Sequence, residues 1–103
     1  WKSYGAVSMA KAALESAIRQ LAIELAPYEI AANSIQAGVT DTEALRKIPG
    51  SEKMIDDAIN SNPNQRLTLP EDIGKAVVNI GLSDENWMTA NTIRLDGGED
   101  IFG

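Results

Sequence analysis

Residues 8–36 read SMAKAALESAIRQLAIELAPYEIAANSIQ, and this stretch decides the fold. Its first part, from Ser8 to about Leu25, is built from Ala, Leu, Glu, Arg and Gln, all good helix formers, and Leu14, Ile18, Leu21 and Leu25 recur at helical spacing. The pattern predicts a helix. Ala10, Ala13 and Ala17 add a stripe of small residues suited to close approach of another helix or a sheet, while Glu15, Arg19 and Glu24 are placed for solvent or salt bridges. Pro27 stops the helix. Residues 29–36 are short, weakly apolar and bounded by Pro27 and Gly38, which reads as a strand. A helix passing within a few residues into a strand is the mark of an α/β unit.

Outward from there, residues 37–50 turn to Gly, Thr, Asp, Arg and Pro, a loop with one helical turn near Glu43 to Arg46. Ser51 can cap a second helix with a narrow apolar stripe, Met54, Ile55, Ala58 and Ile59, which predicts a peripheral position; it ends in the breaker cluster Asn60-Ser61-Asn62-Pro63-Asn64. A third helix announces itself by Pro70 at its first position, Glu71 and Asp72 opposing the helix dipole, and Ile73, Val77 and Ile80 facing inward, and it should run to about Leu82. Thr92-Ile93-Arg94-Leu95 alternates as a strand and Asp96-Gly97-Gly98 closes it as a turn. The order helix, strand, helix, helix, strand, with connections long enough for a right-handed crossover, predicts two parallel strands in one sheet.

Composition excludes much chemistry. The 103 residues include no His and no Cys, so the usual zinc sites, a thiol nucleophile, a disulfide scaffold and a Ser-His relay are all ruled out, and no metal site is expected. Asp, Glu, Lys, Tyr and backbone groups remain for proton chemistry. Nine Lys and Arg against fifteen Asp and Glu, a net charge of −6, argue against a nucleic-acid partner. Apolar residues make up 44%, yet no run approaches the ~18–20 needed to span a bilayer, so no membrane partner and a cytoplasmic location are expected. The length suits a single domain, but the chain opens Trp1-Lys2-Ser3-Tyr4 without an initiator Met, and helical signals begin almost at once. An upstream portion is therefore expected.

Tyr4 and Lys11 are seven residues apart at the head of the best helix. Seven steps of about 100° return to within roughly 20° of the same face, about 10 Å along the axis. A phenol near an ammonium makes a workable site without His: the cation favours the phenolate, and the O–H can donate to a developing oxyanion. The same spacing also fits a Tyr at a helix start and a solvated surface Lys.

The blocks downstream of Lys11 add to this. Tyr4-Gly-Ala-Val-Ser-Met-Ala-Lys11, then Leu21-Ala22-Ile23-Glu24-Leu25-Ala26-Pro27, Asn33-Ser-Ile-Gln-Ala-Gly38-Val-Thr-Asp-Thr42, Arg66-Leu-Thr-Leu-Pro70-Glu71-Asp72-Ile73 and Leu95-Asp96-Gly97-Gly98 occur in sequence. Together these blocks resemble the C-terminal half of the short-chain dehydrogenase/reductase superfamily, over essentially the whole chain. Common members place Tyr four residues before the active-site Lys, where this chain has Val7; Tyr4-x6-Lys11 instead resembles the enoyl-acyl carrier protein reductase branch, as does Asp41-Thr42-Glu-Ala-Leu-Arg with Pro49 after it.

The resemblance implies an α/β fold, the C-terminal half of a doubly wound, Rossmann-type parallel sheet, with residues 1–103 forming part of one domain and the dinucleotide-binding half lying elsewhere. It implies reduction of the 2,3 double bond of enoyl-acyl carrier protein thioesters in fatty acid synthesis, with NADH or NADPH as cofactor and self-association, in relatives often as homotetramers. Tyr4 and Lys11 would be catalytic, Tyr4 bonding the thioester oxygen and Lys11 also holding the nicotinamide ribose. Thr40 would offer backbone groups to the carboxamide, Thr42 a hydroxyl to the cofactor, and Gly38 close backbone approach, although Gly38 also reads simply as a turn residue. Relatives usually carry Pro-Gly where this chain has Ala37-Gly38. Met54, Ile55 and Ile59 read either as core or as lining of the acyl pocket, and Asn33 as structural. Two alternatives stand beside this reading: another reductase of the superfamily acting on a ketone or enone, and a non-catalytic association domain. Because the Gly-rich phosphate loop has no counterpart in these residues, the isolated chain is expected neither to bind dinucleotide tightly nor to reduce anything.

Overall fold

The structure, a computed structural model, describes residues 3–101; Trp1, Lys2, Phe102 and Gly103 lie outside the described residues. Its elements are α1 (Gly5–Leu25), a 3-10 turn (Ala26–Tyr28), β1 (Ser34–Ala37), α2 (Glu43–Arg46), α3 (Ser51–Ser61), α4 (Pro70–Gly81) and β2 (Thr92–Leu95). The element order is the one the sequence predicts. Ser34 N–H donates to Asn91 O at 2.9 Å and Gly38 N–H to Leu95 O at 3.2 Å, so both partners advance by four residues and the strands are parallel. The first strand is shorter than expected. Residues 30–33 are extended but pair largely through side chains: Ala32 N–H donates to Thr89 Oγ1, Asn33 Nδ2 to Met88 O, and Asn91 N–H to Asn33 Oδ1. Asn33 is thus a structural residue that bridges two extended segments where the ladder has not yet begun.

Contacts divide the chain into two units, residues 1–35 with 84–93 and residues 36–83 with 94–103. In the first, α1 keeps its predicted register, but its apolar stripe stays bare: Leu14 is 53% and Leu21 42% exposed, and Ala22 is the helix's one buried residue. Ala10, Ala13 and Ala17 are exposed as well. The physical reason is that, among its described residues, this unit holds no second helix of comparable length to cover the stripe, so intrinsic propensity accounts for the helix within it.

In the second unit Leu45, Ala58 and Leu67 form the buried cluster, with Val39, Ile48, Met54, Ile55 and Ile59 packed against it. The helix expected at the periphery therefore supplies the core, because α2 and the 66–69 segment close over its narrow stripe. Its start is also corrected. The N-cap is Gly50, at φ +78°, and Ser51 is the first helical residue, since the chain needs a left-handed turn that glycine adopts at no steric cost. Helix α4 begins as read: Pro70 opens it, Asp72 Oδ2 accepts the Leu69 N–H at 2.8 Å, and Asp72 N–H returns to Leu69 O at 2.9 Å.

Candidate active site

Tyr4 is the N-cap of α1, half-buried, and its carbonyl accepts Ser8 N–H at 2.9 Å. Lys11 stands two turns along, exposed. The first turn of α1 contains no acidic side chain, and its free amides carry the partial positive charge of a helix N-terminus. Such a helix end favours negative charge developing nearby. Val7, at the position four before Lys11, is 42% exposed and offers no proton.

The loop residues belong to the second unit. Thr68 N–H donates to Val39 O at 3.1 Å and Asp41 N–H to Thr68 O at 2.9 Å, a parallel bridge in which Thr40 is the residue opposite Thr68. That pairing engages the neighbours of Thr40 and leaves its own N–H and C=O directed off the opposite edge, one donor and one acceptor side by side. A carboxamide has the complementary pair. Thr40 Oγ1 donates to Gly38 O at 2.8 Å, tightening the turn. Thr42 caps α2, its hydroxyl oxygen accepting Leu45 N–H at 3.2 Å, so its proton remains to be donated. Arg46 and Asp41 close the loop's outer side at 2.6 Å. The loop therefore fits a nicotinamide carboxamide, with an amide-matching edge at Thr40 and a hydroxyl donor at Thr42. In the first unit, the Lys11 ammonium brings three donors suited to ribose hydroxyls.

Gly38 is required for packing. A β-carbon there would stand 2.9 Å from both Asp96 Cβ and Thr68 Oγ1. The glycine thus packs closely on the turn that follows β2.

Met54, Ile55 and Ile59, expected as core or as acyl-pocket lining, are half-buried against Leu45, Ala58 and Leu67. A separate cavity of about 290 Å³ in the same unit is lined by Asn62, Asn64, Arg66, Asp72, Arg94 and Asp96 among others. The bonds around this cavity tie the protein's own segments together. Buried Asn62 donates to Asp96 O at 2.9 Å, Asn64 to Gly97 O at 2.8 Å, and Arg66 forks onto Asp72 at 2.7 and 3.1 Å. The Arg66 guanidinium and the Leu69 amide hold the Asp72 carboxyl down at about 2. Glu99, beside the loop, is not singled out by the sequence. Both its carboxylate oxygens accept the Val39 N–H, at 3.3 and 3.2 Å. Among the described residues no group of acidic side chains is arranged to hold a metal ion, and no helix is long and apolar enough to cross a membrane.

A family model described as enoyl-(acyl carrier protein) reductase matches residues 1–99. The chain is similar to an enoyl-[acyl-carrier-protein] reductase [NADH] of Aquifex aeolicus, 31% identical over 100 residues, covering 97% of this chain and 37% of that protein. It is also similar to a peroxisomal 2,4-dienoyl-CoA reductase of Saccharomyces cerevisiae, 35% identical over 95 residues, 91% of this chain and 32% of that one. Among solved structures, the Bacillus cereus enoyl-acyl carrier protein reductase with NADP+ superposes with a TM-score of 0.88 at 29% identity, over 100% of this chain and 40% of that one. The chain thus spans about a third of the length of the curated relatives it matches.

Proposed function

The chain belongs to the short-chain dehydrogenase/reductase family, and from that premise we propose that it carries the oxyanion-binding and cofactor-loop residues of a reductase that saturates the 2,3 double bond of enoyl thioesters on acyl carrier protein. Its α/β architecture is part of a Rossmann-type fold. The observation that carries the reading is Tyr4 and Lys11 at seven-residue spacing on the head of α1, with an apolar Val7 where a closer phenol would stand.

NADH or NADPH, held by Lys11, Thr40 and Thr42, would supply a hydride to the substrate's β-carbon as the double-bond electrons move toward the thioester oxygen. Tyr4 donates its O–H to that oxygen. The bond strengthens as charge develops, which is the condition for it to raise the rate rather than merely tighten binding. Lys11 holds ribose hydroxyls and adds positive charge on the side of the phenol. Thr40 pairs its backbone N–H and C=O with the carboxamide, and the Thr42 hydroxyl donates to the cofactor. A proton taken up from water at the α-carbon, as electrons return from the thioester oxygen, completes the saturated thioester.

A second reading has support in the 35% identity to a 2,4-dienoyl-CoA reductase, whose substrate class is a conjugated thioester one double bond longer. Both readings, together with self-association, are tested on the protein at its full natural length. Oxidation of NADH and NADPH is followed with 2-enoyl, 2,4-dienoyl and 3-ketoacyl thioesters. Turnover of the enoyl thioester, lost by about two orders of magnitude in Tyr4→Phe and with a raised nucleotide KM in Lys11→Ala, is expected. Rapid 3-ketoacyl reduction with no enoyl turnover refutes the reading. Light scattering reports the oligomer.

A further inference from the structure

The turn after β2 reaches back sixty residues to the 38–42 loop through one side chain. Val39 lies between Gly38 and Thr40; its carbonyl is taken by Thr68 N–H, and its amide is bonded to neither Thr68 nor β2 but to the Glu99 carboxylate. The base from which Glu99 reaches is fixed. Buried Asp96 accepts Gly98 N–H at 2.9 Å and Asp100 N–H at 3.3 Å, Glu99's own N–H donates to Asp96 O, and Asn62 donates to that same carbonyl. A carboxylate anchored on such a turn sets the position of the amide it accepts, and with it the edge that Thr40 presents. Glu99 is half-buried, so the bond is partly shielded from competing water.

Taking the proposed nicotinamide-dependent function as its basis, we propose that Glu99 is a positioning residue: its carboxylate straps the 38–42 loop through the Val39 amide and thereby presents Thr40 and Thr42 to the cofactor in a preset arrangement. Preorganisation of this kind lowers the cost of ordering the loop when nucleotide binds. Burial, then the nearby Asp96 and Asp100 carboxylates, push the Glu99 carboxyl above its ordinary value against the opposing pull of the Val39 N–H. The other charged groups around it are engaged elsewhere: Arg94 of β2 with Asp96 and Asp100, and Asp41 of the loop with Arg46.

The test compares wild type, Glu99→Gln and Glu99→Ala at full natural length. In a sample labelled with 15N-valine, the wild-type Val39 amide signal should titrate with a midpoint above the ordinary Glu value of about 4.3, and the movement should vanish in Glu99→Gln. Glu99→Ala should speed hydrogen exchange at Val39 by about tenfold or more and weaken NADH or NADPH binding by about tenfold, raising nucleotide KM more than it lowers kcat. Glu99→Gln retains an acceptor oxygen and should restore both. A Val39 amide that does not titrate in wild type overturns the strap, even if Glu99→Ala fails to fold. Accelerated exchange with unchanged nucleotide affinity overturns the positioning role. Failure of the underlying reading has a different signature, wild-type protein that binds neither nucleotide while the Val39 amide still titrates.

Discussion

Replacing Gly38 by Ala is the sharpest probe of how the loop is seated on β2. The added β-carbon would lie 2.9 Å from Asp96 Cβ, 2.9 Å from Thr68 Oγ1 and 3.2 Å from Asp96 Cα. Carbon atoms settle at about 3.5–4.0 Å, so roughly half an ångström or more must be found. None of the three atoms is the free end of a flexible chain. Asp96 is pinned by Gly98, Asp100 and Asn62, and Thr68 sits in the ladder between Val39 and Asp41. The strands must therefore part where Gly38 N–H meets Leu95 O, already at 3.2 Å, and that bond is lost. Overpacking costs about 1–3 kcal/mol and the ladder bond about 1 kcal/mol, together about 2–4 kcal/mol. For domains of about 150–250 residues a loss of this size lowers Tm by roughly 4–16 °C, and by less in a longer chain. Thermal unfolding of the full-length variant, followed by circular dichroism, measures it. A midpoint within about 1 °C of wild type would show that the loop and the turn are not in this contact, and would remove the structural account of Gly38.

The same network makes three further outcomes testable. Asn62→Ala removes one of the two donors to Asp96 O and leaves Asn64 N–H without its side-chain acceptor, and should cost about 1–3 kcal/mol in urea unfolding; an unchanged midpoint would mean that water replaces both bonds at no cost. Asp72 is held at about 2 by Arg66 and the Leu69 amide, so its contribution is present above the unfolded value of about 3.9 and lost as pH falls toward 2; Asp72→Asn should flatten the acid limb of the stability curve in that window, and an identical limb would refute the pairing. Glu99 has the opposite sign. Its raised carboxyl makes folding most favourable below the ordinary Glu value and less so as pH rises through the folded value, so Glu99→Gln should be more stable than wild type at neutral pH and equal to it in acid; a stability loss at neutral pH would contradict burial as the dominant cause.

Local chemistry is legible in the sequence, as is the parallel pairing of the two strands, but the particular long-range hydrogen-bond partners are not. Pro70, Glu71 and Asp72 announce α4 because capping acts within one turn, and Thr92 to Leu95 with Asp96-Gly97-Gly98 announces a strand and its turn for the same reason. Ser51 misleads because serine is a strong capping residue in general, whereas the left-handed turn that starts α3 depends on a backbone angle only Gly50 takes easily. Residues 29–33 read as strand because the segment is short, weakly apolar and bounded by Pro27 and Gly38, but Glu29 is left-handed at φ +59° and the ladder begins only at Ser34, where it depends on Asn91 and Thr92 far along the chain. Of the candidate site, Tyr4 and Lys11 are visible as a spacing on a helix and the loop as a resemblance. Glu99 is invisible, since nothing near it in the sequence marks an acceptor for an amide sixty residues away.

The Val39 amide has an evolutionary corollary. Proline has no N–H, so a relative with proline at the position of Val39 gives a carboxylate at the position of Glu99 nothing to accept and retains only the charge-burial penalty. The two positions should therefore vary together, an acid or amide at 99 accompanying a non-proline residue at 39, and proline at 39 accompanying the loss of the acid. Here a rigid ring and a distant carboxylate would be interchangeable means of stiffening one loop.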